Sequence, residues 1–259
     1  MVRRVMTAMA VTAAAAASVN AQVNSWGTYL RYFNDIPSST VNITQNTLAT
    51  LQFQEQFPQA PAGQGGVNRH TGALSADFGA SPYIVGNSIP WSYEVTVRLD
   101  GTASNEVGMH IGQLGTPAPF GPGNAITGQV MVNANGEIAA FGGWLPFFSN
   151  NQPQYANLPR GARGIDIRLG VFMNPDPIAP TIEYRVNGIG TGPIAIDGPT
   201  FAFYNSLQNS VGVYGQGGWR TTAPTDATYT FTNPVVTPAP SGLGVLALGG
   251  LLAARRRRS

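Results

Sequence analysis

Strict alternation of apolar and polar residues is the sequence feature that most limits how this chain can fold. From Trp91 to Asp100 every second residue is apolar, and the residues between them are polar or charged. Successive side chains of a strand point to opposite faces, so this segment predicts a half-buried strand. The same period recurs over residues 165–171 and 182–186. Such strands belong to antiparallel sheets, and two of these sheets packed together form a sandwich.

Turn signals support an all-β chain. The 259 residues include 32 glycines and 20 prolines, which interrupt the sequence too often for long helices. Asn135-Gly136 stands between two runs of strand composition, residues 129–133 and 137–141. Because this dipeptide accepts the positive φ of tight hairpin turns, it predicts a hairpin there. We therefore predict an antiparallel β-sandwich with few and short helices.

The charge distribution and the absence of cysteine exclude several function classes. All fourteen basic residues are arginine, and six of them lie near the chain ends. Without those six, eight basic residues face twelve acidic ones, which gives the body a net charge of −4. Nucleic-acid binders present clustered lysine and arginine, so nucleic acid is not expected as a partner. A chain without cysteine has no disulfide, thiolate metal site or cysteine nucleophile.

The N-terminal residues have the layout of a secretory signal peptide. Arg3 and Arg4 precede an alanine-rich apolar stretch, residues 5–19, that is too short to span a membrane. Small residues then precede an expected cleavage site between Ala21 and Gln22. We expect an apolar signal helix that is removed on export; the alternative is a buried alanine-rich helix.

The C-terminal residues combine a proline motif, an apolar segment and a basic cluster. Pro238-Ala239-Pro240 precedes the apolar residues 242–254. A helix of that length would extend about 20 Å, less than the ~30 Å hydrocarbon core of a bilayer, which favours a transient anchor. The basic cluster, expected to stay on the cytoplasmic face, consists of Arg255, Arg256, Arg257 and Arg258.

This tripartite tail resembles the PEP-CTERM sorting domain, with Pro238-Ala239-Pro240 in place of the family's usual Pro-Glu-Pro. The resemblance implies an exosortase-like partner that cleaves near the proline motif and delivers the protein to the cell surface. Many members of the family occur in bacteria that make extracellular polysaccharide. A plain tail anchor or an amphipathic C-terminal helix is the alternative.

These signals predict three segments and an address. We assign residues 1–21 to the signal peptide, 22–234 to the β-sandwich domain, and 235–259 to a linker plus sorting tail. The expected location is the cell surface or the extracellular space, with transient anchoring in the inner membrane. Whether the tail is cleaved or stays as an anchor is left open by the sequence.

From about Trp91 to Gly190 the body resembles the concanavalin A-like (LamG-type) jelly roll. The similar stretches are residues 93–101, 107–112 and 184–188. Proteins of that fold bind glycans or proteins, and others cleave polysaccharides. The resemblance therefore implies a fold without selecting a function.

Familiar catalytic signatures are missing from the sequence. There is no Glu-x-Asp-x-x-Glu string of the kind jelly-roll glucanases carry, and no Gly-x-Ser-x-Gly elbow. His70 and His110 are too far apart for a metal-ligand pair by local spacing. Alternation places His110 opposite Met109 and Ile111, where a solvated imidazole is expected. The spacing of three nearby carboxylates is typical of an exposed strand and turn: Glu94, Asp100 and Glu106.

Aromatic residues beside glycines are the candidate glycan contacts: Trp144, Phe147 and Trp219. The alternative is that their rings fill the core. No cofactor is expected, although loop oxygens near Asp100 or residues 174–176 could hold a structural Ca²⁺. We therefore expect a non-enzymatic surface or matrix protein, with extracellular polysaccharide as a candidate partner. The alternative is a polysaccharide-active hydrolase or lyase on a jelly-roll fold.

Overall fold

The computed structural model describes residues 23–61, 64–115, 121–218 and 224–238. Within these ranges the strands form two antiparallel sheets, of seven and eight strands, which pack against each other. This confirms the predicted antiparallel β-sandwich. The expected signal helix, the cleavage site at Ala21 and Gln22, and the tail beyond Pro238 lie outside the described residues.

The seven-stranded sheet has the order β1-β4-β14-β6-β7-β8-β9. Its strands are β1 (Ser25–Asn34), β4 (Val67–Ser75), β6 (Ser104–Gly115), β7 (Gly121–Asn133), β8 (Ile138–Phe141), β9 (Phe148–Ser149) and β14 (Ser210–Gly218).

The eight-stranded sheet has the order β12-β11-β10-β5-β15-β3-β2, and β13 also pairs with β11. Its strands are β2 (Thr40–Asn46), β3 (Thr50–Phe57), β5 (Trp91–Asp100), β10 (Ile167–Asn174), β11 (Thr181–Val186), β12 (Ile189–Gly190), β13 (Ile194–Ala195) and β15 (Thr225–Pro238). The helices in the described residues are α1 (Gly198–Ser206) and a 3₁₀ turn, Pro153–Tyr155.

Alternation along the strands decides which side chains form the core. Every second residue of β5 is buried, as the sequence pattern predicts. Met109 and Val213 of the seven-stranded sheet and Val97 and Phe231 of the eight-stranded sheet belong to one buried apolar cluster. Each large apolar side chain removed from water stabilises the fold by about 1.5–3 kcal/mol. The predicted hairpin is β7–β8, in which Gly136 has a φ of 92°.

The sandwich continues past the domain boundary that the sequence predicts at residue 234. β15 pairs with β5 as far as Thr232, and pairing resumes where Val235 lies opposite Glu94. The register shift between these pairs accommodates Pro234, which has no N–H for the ladder, and Asn233, which has a φ of 52°. The proline therefore marks a bulge, and the strand extends to Pro238.

None of the helices in the described residues is long and apolar enough to cross a membrane.

Candidate functional site

The outward face of the seven-stranded sheet gathers polar side chains from several strands. On β6, Met109 and Ile111 face the core, so His110 between them faces outward. The register places His110 opposite Gln129 of β7 and Gly212 of β14. The residues that line the resulting space, called the outer-face pocket below, are Tyr32, Arg69, Thr71, His110, Leu114, Thr127, Gln129 and Tyr214.

Sheet geometry sets the spacing of these residues. Tyr214 lies opposite Thr71 of β4 on one side and Gly108 of β6 on the other. His110 is therefore the diagonal neighbour of Tyr214 on the adjacent strand, a separation of about 7–8 Å between Cα atoms. Groups at this spacing can contact the same bound molecule from different sides.

Arg69 is held rigidly at one end of the pocket. Its Nη2 donates to Glu106 Oε1 at 3.0 Å, and its Nε donates to Gln216 Oε1 at 2.8 Å. The guanidinium lies 4.7 Å from the ring centre of Phe33 and 4.5 Å from that of Tyr214. Two ring faces and two hydrogen bonds fix the cation in one orientation. The side chain is only 9% exposed.

His110 is a buried imidazole without a partner for one nitrogen. Its Nε2 has no hydrogen bond to any described residue. Burial, together with the nearby charge of Arg69, lowers the pKa of His110 to about 3, so the ring is neutral at pH 7. Gly212 makes room for it, because a Cβ there would lie 2.2 Å from Nε2. The predicted outward orientation is confirmed, but the expected solvation is wrong because neighbouring strands bury the ring.

Tyr214 is a buried phenol that stays protonated. Burial raises the pKa of its hydroxyl well above 10, and the Glu106 carboxylate adds to this shift while Arg69 opposes it. No hydrogen bond of ordinary geometry joins the hydroxyl to Glu106. Gln129 also brings a buried Oε1 without a partner among the described residues. The pocket thus combines a neutral imidazole, a protonated phenol, an amide and a fixed cation.

The pocket is nearly closed in this structure. Its volume is about 10 Å³, which is room for roughly one water molecule. A sugar ring needs much more space, so binding requires the side chains that cover the pocket to move. Tyr32 is half-buried and forms one edge of the pocket.

The candidate glycan contacts lie in different environments. Trp144 is 1% exposed, donates from Nε1 to Asn209 Oδ1 at 2.8 Å, and packs edge-on against Tyr204. Its ring fills the core because its polar atom finds a partner there, so it offers no face to a sugar. Phe147 is 62% exposed. Trp219 lies outside the described residues.

The three carboxylates considered from the sequence do not come together. Glu94 pairs with Arg168 at 3.1 Å, Asp100 pairs with Arg98 at 2.7 Å, and Glu106 adjoins the outer-face pocket. The described ranges contain no group of three acidic or histidine residues able to hold a metal ion. Near the suggested calcium loop, the Asp176 carboxylate accepts from the N–H groups of Ile178 and Ala179.

Sequence reasoning considered His110 and missed Arg69, Gln129 and Tyr214. These residues come from four strands, so no local spacing connects them. The available signal was that β6 and β14 place polar and aromatic residues at alternate positions of strands whose other face is apolar, and that β4 places Arg69 and Thr71 at alternate positions. Knowing that these strands are neighbours would have been necessary to use it.

Comparison with known proteins finds likeness among solved structures only. No family model and no curated protein match the chain. A His-to-Asn, Tyr-to-Phe variant of the family 7 alginate lyase A1-II′, solved with substrate, is 8% identical with a TM-score of 0.47, covering 82% of this chain and 92% of that one. An alginate lyase from Alteromonas sp. 272 is 14% identical with a TM-score of 0.36, covering 81% and 93%.

These structures contradict the expectation of a non-enzymatic protein and agree with its alternative, a polysaccharide-active enzyme. At such identities and TM-scores, the likeness assigns no reaction and no residue roles. The reaction and the residue roles have to be argued from the geometry of the outer-face pocket itself.

Proposed function

We propose that the protein is a polysaccharide lyase that cleaves a uronate-containing polymer by β-elimination in the outer-face pocket. We also propose that its β-sandwich is a jelly roll of the concanavalin A-like type. The observation that carries it is the grouping of a neutral imidazole, a protonated phenol and a buried guanidinium in a single pocket: His110, Tyr214 and Arg69.

β-Elimination needs a base, an acid and a positive charge. The base removes the proton from C5, next to the uronate carboxyl group. The electron pair forms a C4–C5 double bond, the C4–O bond breaks, and the departing oxygen takes a proton. The carboxyl group carries extra negative charge as the C5 proton leaves, and a fixed cation stabilises that charge.

The pocket residues match these needs. Arg69 supplies the cation, and the Gln129 amide can donate to the same carboxyl group. His110, being neutral, can accept the C5 proton, while Tyr214, being protonated, can donate to the departing oxygen. A bound carboxylate would raise the pKa of His110, because an opposite charge favours the imidazolium. Substrate binding therefore strengthens the base.

Hydrolysis by two carboxylates fits the pocket less well. Retaining and inverting glycosidases place two carboxyl groups across the scissile bond. None of the residues that line the pocket is acidic, and neighbouring Glu106 is bound to Arg69. Several of the similar solved structures are named as alginate lyases, which makes alginate the first polymer to test.

The experiment incubates the protein with alginate and other polyuronates and records two signals. Elimination creates a conjugated double bond that absorbs in the ultraviolet, and it releases reducing ends in parallel. We expect both signals, and a fall of about 10²-fold or more in rate for Tyr214→Phe and His110→Gln. As a control, Arg168→Gln on the eight-stranded sheet also replaces a polar side chain by glutamine, and it should keep the parent rate. Reducing ends without absorbance would show hydrolysis, and no cleavage of any polyuronate would overturn the proposal.

The address of the enzyme is a separate proposal that the terminal sequences support. We infer export with cleavage between Ala21 and Gln22, followed by surface delivery through an exosortase-like enzyme and the 238–258 tail. An enzyme acting on extracellular polysaccharide would meet its substrate there. The masses of both chain ends, measured on the protein from its native host, test this. Ends that match the full sequence would refute it.

A further inference from the structure

A bulge in β1, in which three residues lie opposite one residue of β4, shapes one wall of the outer-face pocket. β1 and β4 pair regularly as far as Tyr29 opposite Thr71, and pairing resumes with Phe33 opposite Arg69. Residues 30–32 therefore lie opposite His70 alone. Arg31 has a φ of 58°, which is unfavourable for a residue other than glycine. The bulge redirects the chain so that Tyr32 reaches the pocket and Phe33 stacks on Arg69.

A fully buried imidazole holds the bulge from the core side. The backbone N–H of Arg31 donates to His70 Nδ1 at 3.0 Å. Since Nδ1 accepts, the ring proton lies on Nε2, which donates to Glu55 Oε2 at 2.8 Å. Both side chains are completely buried. The orientation of His70 is thus fixed by Glu55 on β3, a strand of the opposite sheet.

The Glu55 carboxylate is satisfied by two further donors. Ser39 Oγ donates to Oε1 at 2.5 Å, and Asn68 Nδ2 donates to the same oxygen at 2.6 Å. Burying a carboxylate is costly unless such partners surround it. Apolar side chains of similar size could fill this space at no greater cost in stability. The network is therefore better explained by the orientation that it imposes than by stability.

We propose that Glu55 and His70 are positioning residues, which fix the bulge at Arg31 and so set Tyr32 and Phe33 as the wall of the outer-face pocket. Neither residue reaches the pocket itself, because His70 lies on the opposite face of β4 from Arg69. The catalytic consequence rests on the proposed function. The position of Tyr32 can be measured without it.

Two substitutions of His70 separate its two hydrogen bonds. The shorter amide of His70→Asn can keep an acceptor near Nδ1 for the Arg31 N–H but does not reach Glu55. The longer amide of His70→Gln can keep a donor to Glu55 but places no acceptor at Nδ1. Near-ultraviolet circular dichroism and thermal unfolding establish that each variant is folded.

Nitration of Tyr32 by tetranitromethane, followed by peptide mass spectrometry, reports its position. We expect Tyr32 to react several-fold faster in His70→Gln than in the parent, and at close to the parent rate in His70→Asn. Tyr155, which packs on Phe148 away from the bulge, is the internal control and should not change. Unchanged Tyr32 reactivity in a folded His70→Gln protein overturns the proposal.

The activity measurement links position to catalysis. Because small displacements of binding groups lower turnover strongly, we expect kcat/KM on the cleaved polyuronate to fall about tenfold or more in His70→Gln, but much less in His70→Asn. Equal losses in both variants, in proportion to their loss of stability, would indicate a merely structural role. If no polymer is cleaved by the parent, the proposed function fails, while the nitration result still decides the positioning.

Hydrogen exchange on the unchanged protein keeps the proposal testable if the variants do not fold. The Arg31 amide should exchange as slowly as core strand amides, because its acceptor is buried. Fast exchange at Arg31 beside slow exchange in β4 would refute the anchoring role of His70.

Discussion

The outward faces of the two sheets arise from the same alternating pattern, but they differ in how deeply their polar side chains are buried and in whether those side chains have partners. On the eight-stranded sheet the charged residues form partly exposed ion pairs, Arg98–Asp100, Arg168–Glu94 and Arg185–Glu183. On the seven-stranded sheet, Arg69 and Glu106 are mostly buried, and polar atoms of His110 and Gln129 have no partner among the described residues.

This difference separates a solvated face from a candidate site. Exposed ion pairs contribute little to stability and need no functional explanation. Buried polar atoms without partners cost free energy, and native structures contain few of them. Three of them, on His110, Gln129 and Tyr214, share a single pocket beside groups with shifted pKa values, which favours the seven-stranded sheet as the site of function.

The largest effect expected from this contrast is the acid sensitivity that His110 confers. Its pKa falls from 6.5 in the unfolded chain to about 3 in the fold, so between these values the unfolded state binds the extra proton. Stability from this group is complete above pH 6.5 and is lost as the pH falls toward 3, by up to about 5 kcal/mol. Urea unfolding of His110→Gln across this range should show a flatter pH profile than the parent.

Carboxylates also titrate in this range, so the comparison between His110→Gln and the parent is what isolates the imidazole. Parallel pH profiles for the two proteins would mean that His110 has the same pKa in the folded and unfolded states. That result would contradict the effect of burial on the imidazole and leave the proposed base without its lowered pKa.

The next effect concerns the buried ion pair. Arg69→Met leaves the Glu106 carboxylate buried without its cation, which should cost on the order of 3 kcal/mol at pH 7. Burial already raises the pKa of Glu106 while Arg69 opposes that rise, so without Arg69 the carboxyl group should protonate more readily. The loss of stability in Arg69→Met should therefore become smaller as the pH falls. The double variant Arg69→Met/Glu106→Gln should recover part of the stability in urea unfolding, and no recovery would contradict the pairing.

The fold was accessible from the sequence because its signals are local. The alternation from Trp91 to Asp100 and the Asn135-Gly136 turn specify a strand and a hairpin within a few residues, and both are present. Strand β15 runs past the boundary expected at residue 234, because Pro234 lies at a bulge within it, and a bulge depends on the partner strand.

The pocket was not accessible because its signals are non-local. Arg69, His110 and Tyr214 meet only through the order β4-β14-β6, which no spacing along the chain encodes. The carboxylate pairs and metal spacings sought in the sequence belong to other chemistries. For Trp144 the sequence allowed either a glycan contact or a place in the core, and the ring is in the core.

The smallest effect is expected for Arg168, the arginine on the solvated face that is compared with Arg69. Arg168 donates from Nη2 to Glu94 Oε2 at 3.1 Å, and both side chains are about 30% exposed, at 27% and 32%. Removing the cation leaves Glu94 in contact with water, so Arg168→Met should cost less than about 1 kcal/mol in urea unfolding, and added salt should reduce that cost. Its nearby bond from Nη1 to the carbonyl of Asn233 at the β15 bulge adds only a partly solvated contact. If Arg168→Met were as destabilising as Arg69→Met, burial would not distinguish the two faces, and the assignment of function to the seven-stranded sheet would lose its physical basis.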